Sequence, residues 1–194
     1  MQDKMRSVRS REALLFAQNF LKHPKMIGSF IPSSRYLVDR LLGEINWETA
    51  STIVEYGPGV GTITSQVLRR MRPDAKLIVI EMNKDFVQYL RATFDDERLH
   101  VVHGSAEHVR SVLAKLGIDG ADAVISGIPF TVMPKHVRSR ILRDSKRCLH
   151  EGGKFIVFQF TGAVLPHLRS EFSNVRVGFE PLNILPARLF FCHP

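Results

Sequence analysis

The sequence predicts an α/β fold in which a mostly parallel sheet carries helices on both faces. Three observations predict it. Short apolar runs alternate with segments of helical period, the pattern of parallel strands joined by crossover helices. The first five runs are near-continuous apolar stretches, as expected where helices cover both sheet faces. The first run ends in a glycine-rich turn that opens a helix.

In order, strands are expected at residues 52–56, 76–81, 99–103, 121–126 and 154–160, then at 175–179 and 189–192. Helices are expected at 62–71, 84–93, 106–116 and 134–149. Asn83 suits the N-cap of the second, and the pair Gly152-Gly153 is read as the stop of the last. The last two strands show no helix between them and share a loop, 180–187, rich in proline and asparagine, so they are expected to pair antiparallel. Residues 1–50 precede the first strand and are expected to form one or two helices as an extension. Residues 51–194 form the core, and the whole chain reads as one domain.

The chain has 194 residues and a net charge of +8. The charge is uneven: residues 1–40 hold eight basic against three acidic side chains, and residues 134–149 hold six against one. Clustered positive charge points to an anionic partner, either nucleic acid or a membrane surface. No stretch approaches the ~20 apolar residues of a membrane span, and no secretory signal is visible. Cys148 and Cys192 lie far apart and read as reduced thiols of a cytoplasmic protein. No Cys/His cluster has metal-ligand spacing, so no metal is expected.

The segment VEYGPGVG (54–61) carries the first chemical signal. Glu55 precedes the turn, Gly57, Gly59 and Gly61 let the backbone bend sharply and approach a ligand, and Thr62 opens the helix. A glycine turn alone also suits a nicotinamide cofactor. Pro58, however, sits between two glycines, unlike a pyrophosphate loop, whose second glycine admits a phosphate. Glu81 ends the next strand 20 residues after Gly61, where a carboxylate can accept from both ribose hydroxyls. Met82 is placed to pack on an adenine face. The segment HGSAEH (103–108) puts Gly104, Ser105 and Ala106 at the adenine edge, though Ser105 is equally a helix N-cap.

This set resembles the motifs of class I methyltransferases. The resemblance implies a Rossmann-like sheet of seven strands, mostly parallel with an antiparallel last strand. It implies S-adenosyl-L-methionine as methyl donor and S-adenosyl-L-homocysteine as product. Many such enzymes carry Asp where this chain has Ser105, a weaker acceptor.

The fourth strand ends in Ser126-Gly127-Ile128-Pro129-Phe130, a loop that should face the reactive methyl, with Ser126 on the cofactor side. It resembles the Asn-(Ile/Leu)-Pro-(Tyr/Phe) loop of adenine N-methyltransferases, in which Asn holds the target amine and the aromatic ring stacks on the base. Here Gly127 stands at the Asn position and has no side chain with which to read an adenine edge. That favours a nitrogen other than a flipped base. The alternative for Phe130 is a place in the core.

With these motifs, the segments IGSFIPSSRYL (27–37), SGIPF (126–130) and LNILPARLFF (182–191) resemble bacterial phospholipid N-methyltransferases, relatives of the rRNA adenine dimethyltransferases. Leu185-Pro186 departs from the usual two prolines before Ala187-Arg188. The resemblance implies methylation of the amino group of phosphatidylethanolamine at the membrane surface. Under it, Tyr36 orients the amine, Ser33, Ser34 and Arg35 bind substrate, and Arg35 or Arg188 pairs with the lipid phosphate. His103, Glu107 and His108 are weaker candidates near the adenine end. Residues 13–22 have one apolar helical face and one polar face, and such a helix either lies in a lipid interface or caps the fold. The expected location is cytoplasmic, at the inner face of the membrane. Other readings are a nucleic-acid adenine methyltransferase, a small-molecule methyltransferase and a non-catalytic donor-binding module.

Overall fold

The computed structural model describes residues 33–194. The amphipathic segment 13–22 and residues 27–32 of the first resembling segment lie outside them. The described chain opens with α1 (Arg35–Leu42), whose N-cap Ser34 accepts the Leu37 N–H on its side chain. There follow β1 (Thr52–Tyr56), α2 (Thr62–Arg70), β2 (Lys76–Glu81), α3 (Lys84–Thr93) and β3 (Leu99–His103). The second half holds α4 (Val109–Lys115), β4 (Ala121–Ser126), α5 (Lys135–Arg147), β5 (Leu149–Gln159), α6 (Leu165–Glu171), β6 (Asn174–Glu180) and β7 (Ala187–His193).

The seven strands form one sheet in the order β3-β2-β1-β4-β5-β7-β6. Pairing is parallel from β3 through β5, and β7 runs antiparallel to both β5 and β6. Apolar strands are covered on both faces, as their composition requires. On one face Leu41, Val67 and Leu90 from α1, α2 and α3 pack on Ile53, Leu77, Ile125 and Ile156. On the other, Leu113, Ile141 and Leu168 from α4, α5 and α6 pack on Val54, Ile78, Val124 and Val157. The chain leaves β1 towards β2 on one side and later returns to β4 on the other. The crevice beyond the carboxyl ends of these strands is where such sheets bind ligands.

Three expectations change. Gly152-Gly153 does not stop α5, which ends at Arg147 with Cys148 as its C-cap. The glycine pair lies inside β5, where Ala121 pairs Leu149 but Ala123 pairs Lys154. The extra residues form a bulge; Gly152 has φ +75°, and a Cβ on Gly153 would stand 3.0 Å from the Ala121 carbonyl oxygen. The expected helix 106–116 is a 3₁₀ turn (Ala106–His108) followed by α4. α6 was not expected between β5 and β6; Pro166 sits in its first turn, where a missing N–H costs nothing.

Candidate active site

Beyond the carboxyl ends of β1, β2 and β4 lies a cleft of about 380 Å³. Gly57 and Gly59 form one wall, with φ +65° and +56°. Gly57 donates to the Ile80 carbonyl at 3.0 Å, which holds the turn to β2. A Cβ on Gly57 would meet Ile128 Cγ2 at 2.7 Å, so glycine there lets the loop after β4 close over the turn. Gly61, at φ +78°, serves a different purpose: a Cβ there would strike the Phe94 ring at 2.6 Å, beside Leu90. It lets α2 seat against the end of α3 and does not line the cleft.

Glu81 lines the cleft and is 8% exposed. Its carboxylate accepts from Asn83 N–H at 2.8 Å and from Gly59 N–H at 3.3 Å. Burial raises its pKa, and the backbone N–H groups of Asn83, Gly59 and Met82 counter part of that rise. The acid therefore ties the glycine turn to the end of β2 while facing the space a ribose would fill. Met82 lines the same wall and is 71% exposed. Gly104, Ser105 and Ala106 complete the expected set on this wall. Ser105 also caps the 3₁₀ turn by accepting the Glu107 N–H at 3.2 Å.

Other expected cofactor residues are elsewhere. Glu55 sits beneath the turn, where its carboxylate accepts from the Thr64 hydroxyl at 2.6 Å. Burial pushes its pKa up to about 7, Thr64 opposes the shift and the Glu81 charge adds to it. Glu55 thus anchors α2 under the turn and does not line the cleft. Neither do Pro58, Thr62 or Ser126. Ser126 is buried at the end of β4, and its hydroxyl has no hydrogen-bond partner among the described residues.

Gly127, Ile128 and Pro129 line the cleft on the β4 side. Gly127 and Pro129 also line a second cavity of about 110 Å³, with Thr131, Phe158, Gln159, Phe160 and Thr161. The expected role of Phe130 is corrected: its ring is fully buried, edge-on to Phe155 at 6.2 Å, and lines neither cavity. The 3₁₀ turn Phe130–Val132 that follows Pro129 carries the ring back into the core.

Ser33, Ser34, Arg35 and Tyr36 line neither cavity. Ser34 N–H donates to the Asn183 side chain at 2.8 Å, and Arg35 donates to the Tyr36 hydroxyl at 2.8 Å. Arg188 is exposed and register-paired with Gln159, and its Cδ lies against Gly162, next to the small cavity.

Several cleft residues were not expected. Ile80, Phe86, Met133, Val137 and Ile141 give it apolar walls suited to a flat aromatic base. Glu107, a weaker candidate in sequence, lines it and pairs with Arg140 at 3.5 Å. Gln159 was also missed. Its signal was a polar residue in the apolar run Phe155–Phe160, near the carboxyl end of the strand, where such sheets bind ligands.

The glycine cradle, the buried acceptor Glu81 and the apolar walls fit S-adenosyl-L-methionine. Comparison with known proteins points the same way. Residues 29–180 match the family model described as the methyltransferase small domain. The chain is 34% identical over 184 residues to the ornithine lipid N-methyltransferase of Singulisphaera acidiphila, covering 94% of this chain and 96% of that protein. It is 25% identical to ribosomal RNA small subunit methyltransferase A of Mycoplasma mycoides, over 58% of this chain and 41% of that longer protein. Its fold superposes on precorrin-6y C5,15-methyltransferase from Geobacter metallireducens with TM-score 0.62 at 12% identity, covering 80% of this chain and 86% of that one. The chain belongs to the methyltransferase small domain family and is an S-adenosylmethionine-dependent methyltransferase.

Proposed function

We propose that this enzyme methylates the amino nitrogen of a membrane lipid, of the phosphatidylethanolamine or ornithine-lipid type, at the cytoplasmic face of the membrane. One observation carries the reading. At the acceptor loop, the place of a side chain on Gly127 is filled by the Phe158 ring, leaving a small cavity lined without a charged side chain. That space suits an aliphatic amine better than a flat nucleobase. The lipid relative, which matches nearly end to end, supports the same choice.

When bound, S-adenosyl-L-methionine supplies an electrophilic methyl group on a sulfonium. The chain's own contribution is to hold the partners in line. Glu81 and the Gly57–Gly59 backbone fix the donor side, and Gly127 and Pro129 form the wall shared by the two cavities. Positioning of this kind supplies ~7–11 kcal/mol in well-oriented systems. The amine must present a lone pair, although a free amine of this class has a pKa of ~10. None of the residues lining the small cavity carries a titratable side chain, so the amine proton leaves to water.

Arg188 is the residue we assign to the lipid's acidic group, the phosphate of phosphatidylethanolamine or the carboxylate of ornithine lipid, since it stands beside the small cavity and a guanidinium binds either group in bidentate fashion. Exposed Leu182, Ile184 and Leu185 precede it on the β6–β7 loop and support contact with a lipid surface. Among the described residues, no helix is long and apolar enough to cross a membrane.

Labelled S-adenosyl-L-methionine should be supplied with phosphatidylethanolamine vesicles, with ornithine-lipid vesicles, with ribosomal RNA and with no acceptor. Label in either lipid supports the proposal. Label in RNA alone would overturn it in favour of the adenine reading, to which the ribosomal RNA relatives and the basic charge lend weight. Arg188→Ala should raise the KM for lipid while leaving donor-product affinity unchanged.

A further inference from the structure

The small cavity beside the donor cleft contains one polar side chain whose geometry is fixed on one side and open on the other. Gln159 ends β5 and is 8% exposed. Its Nε2 donates to the Ile128 carbonyl at 2.8 Å and to the Phe158 carbonyl at 2.8 Å. A carboxamide nitrogen has two hydrogens, and both are used. The two carbonyl partners also fix which end is nitrogen, because a flipped amide would set oxygen against oxygen. The carboxamide oxygen accepts no hydrogen bond from the described residues. Gln159 therefore offers the cavity an acceptor and no donor.

Such a group selects a ligand that donates N–H. The rest of the lining agrees. Phe158 and Phe160 supply aromatic rings, Thr131 and Thr161 supply neutral hydroxyls, and no lining residue carries a charge. Aromatic rings attract ammonium and methylated ammonium groups through their negative faces. The cavity shares Gly127 and Pro129 with the donor cleft, so a nitrogen held there lies next to the methyl donor's space. Arg188 is directly opposite Gln159 on β7, on the same sheet face. A fixed cation beside an amine favours its neutral form, the form that attacks.

From this geometry we infer that Gln159 is the substrate-binding residue that recognises the acceptor amine, its side-chain oxygen accepting an N–H of the amine. The assignment rests on the lipid-amine reading above. It has a consequence that a purely structural role lacks. A primary amine brings N–H groups to Gln159, whereas a fully methylated, quaternary nitrogen brings none and is held by the Phe158 and Phe160 rings alone. Gln159 thus favours substrate over the exhaustively methylated product.

The test measures equilibrium binding of two lipids in detergent micelles to the full chain loaded with S-adenosyl-L-homocysteine. One lipid has a primary-amine headgroup and the other is its N,N,N-trimethyl counterpart. Gln159→Leu should weaken the primary-amine lipid by about fivefold, the scale of a hydrogen bond between neutral groups. It should leave the trimethyl lipid within roughly twofold of wild type. Gln159→Glu keeps an acceptor oxygen but loses the tether to Ile128, and it should retain primary-amine binding. Phe160→Leu should weaken both lipids. Affinity for S-adenosyl-L-homocysteine within roughly twofold of wild type confirms that each variant is folded, and Gln159→Met replaces the leucine variant if it fails that check. Equal losses for both lipids in Gln159→Leu and Gln159→Glu would make Gln159 a loop tether and overturn the inference alone. Failure of the wild-type chain to bind either lipid would overturn the lipid reading and the inference together.

Discussion

The Cα of Gly127 faces the ring of Phe158 so closely that a Cβ there would stand 2.6 Å from the ring's Cζ. Real Cβ atoms do not approach a ring to that distance, so a side chain at 127 requires the Phe158 ring to move out of its place against the loop. Gly127 does not have positive φ, so packing against the ring, and not backbone conformation, opposes a side chain there. Gly127→Asn should therefore destabilise the fold by about 1–3 kcal/mol and should not confer adenine methylation. Thermal unfolding and an RNA methylation assay check this. Because the two residues touch, Gly127→Asn and Phe158→Ala should be non-additive, with the double variant more stable than the summed losses imply.

Glu81 is joined to the glycine turn through Gly59 N–H and faces the donor cleft. Glu81→Ala should weaken S-adenosyl-L-homocysteine binding by about tenfold or more, read by calorimetry, with the fold retained. Burial raises the Glu81 pKa, so acidification removes this acceptor sooner than for an ordinary carboxylate. Donor-product affinity should be level in mild alkali and fall as pH drops through that raised value. Glu81→Gln should flatten the profile; an unchanged slope would place the titration elsewhere.

Glu55 is buried and its pKa is pushed to about 7. A carboxyl whose folded pKa is raised contributes stability that is present below its unfolded value and lost as pH rises through the folded one. Wild-type stability should therefore decline as pH climbs through about 7. Glu55→Gln removes the cost of ionising the site. Its Tm relative to wild type should improve from pH 5.5 to pH 8.5, and a constant difference across that range would refute the assignment.

A second titrating cluster lies at the opposite end of the sheet. His150 Nδ1 meets Asp122 at 3.1 Å and Nε2 meets Asp119 at 3.3 Å. Partial burial lowers the His150 pKa, but Asp122 and Asp119 outweigh it and the net shift is upward, while both acids are shifted down. The histidine term is present below its unfolded value and lost as pH rises through the raised one, and the aspartate terms are lost in acid. The destabilisation caused by His150→Asn should be largest between about pH 4.5 and 6.5 and shrink in alkali. Thermal unfolding of both chains across pH measures it. Asp122 also accepts from the Ser51 and Thr52 backbone N–H groups, so Asp122→Ala should cost more than His150→Asn at every pH.

The sheet was legible in the sequence because its causes are local. Near-continuous apolar runs placed β1 to β4 at their observed ends, since strands buried on both faces need apolar residues throughout. The same local logic misplaced the end of α5: Gly152-Gly153 has the composition of a helix stop, yet the backbone uses it as a strand bulge. α6 was missed because Pro166 reads as a breaker until its place in a first turn is known.

The site divides along the same line. The sequence by itself determined which strand ends line one wall of the cleft: the Gly57–Gly59 turn, Glu81, and the Gly104–Ala106 segment, each fixed at a strand end by its own neighbours in the chain. Only the tertiary structure separated Gly57, which admits Ile128, from Gly61, which admits Phe94. Only it took Phe130 into the core and brought Gln159 to the Ile128 carbonyl, 31 positions away in the chain. The physical reason is that a strand's burial pattern is written along the strand, whereas side-chain neighbours across the sheet depend on strand order and register. The β4-β5 adjacency that builds the small cavity comes from that order.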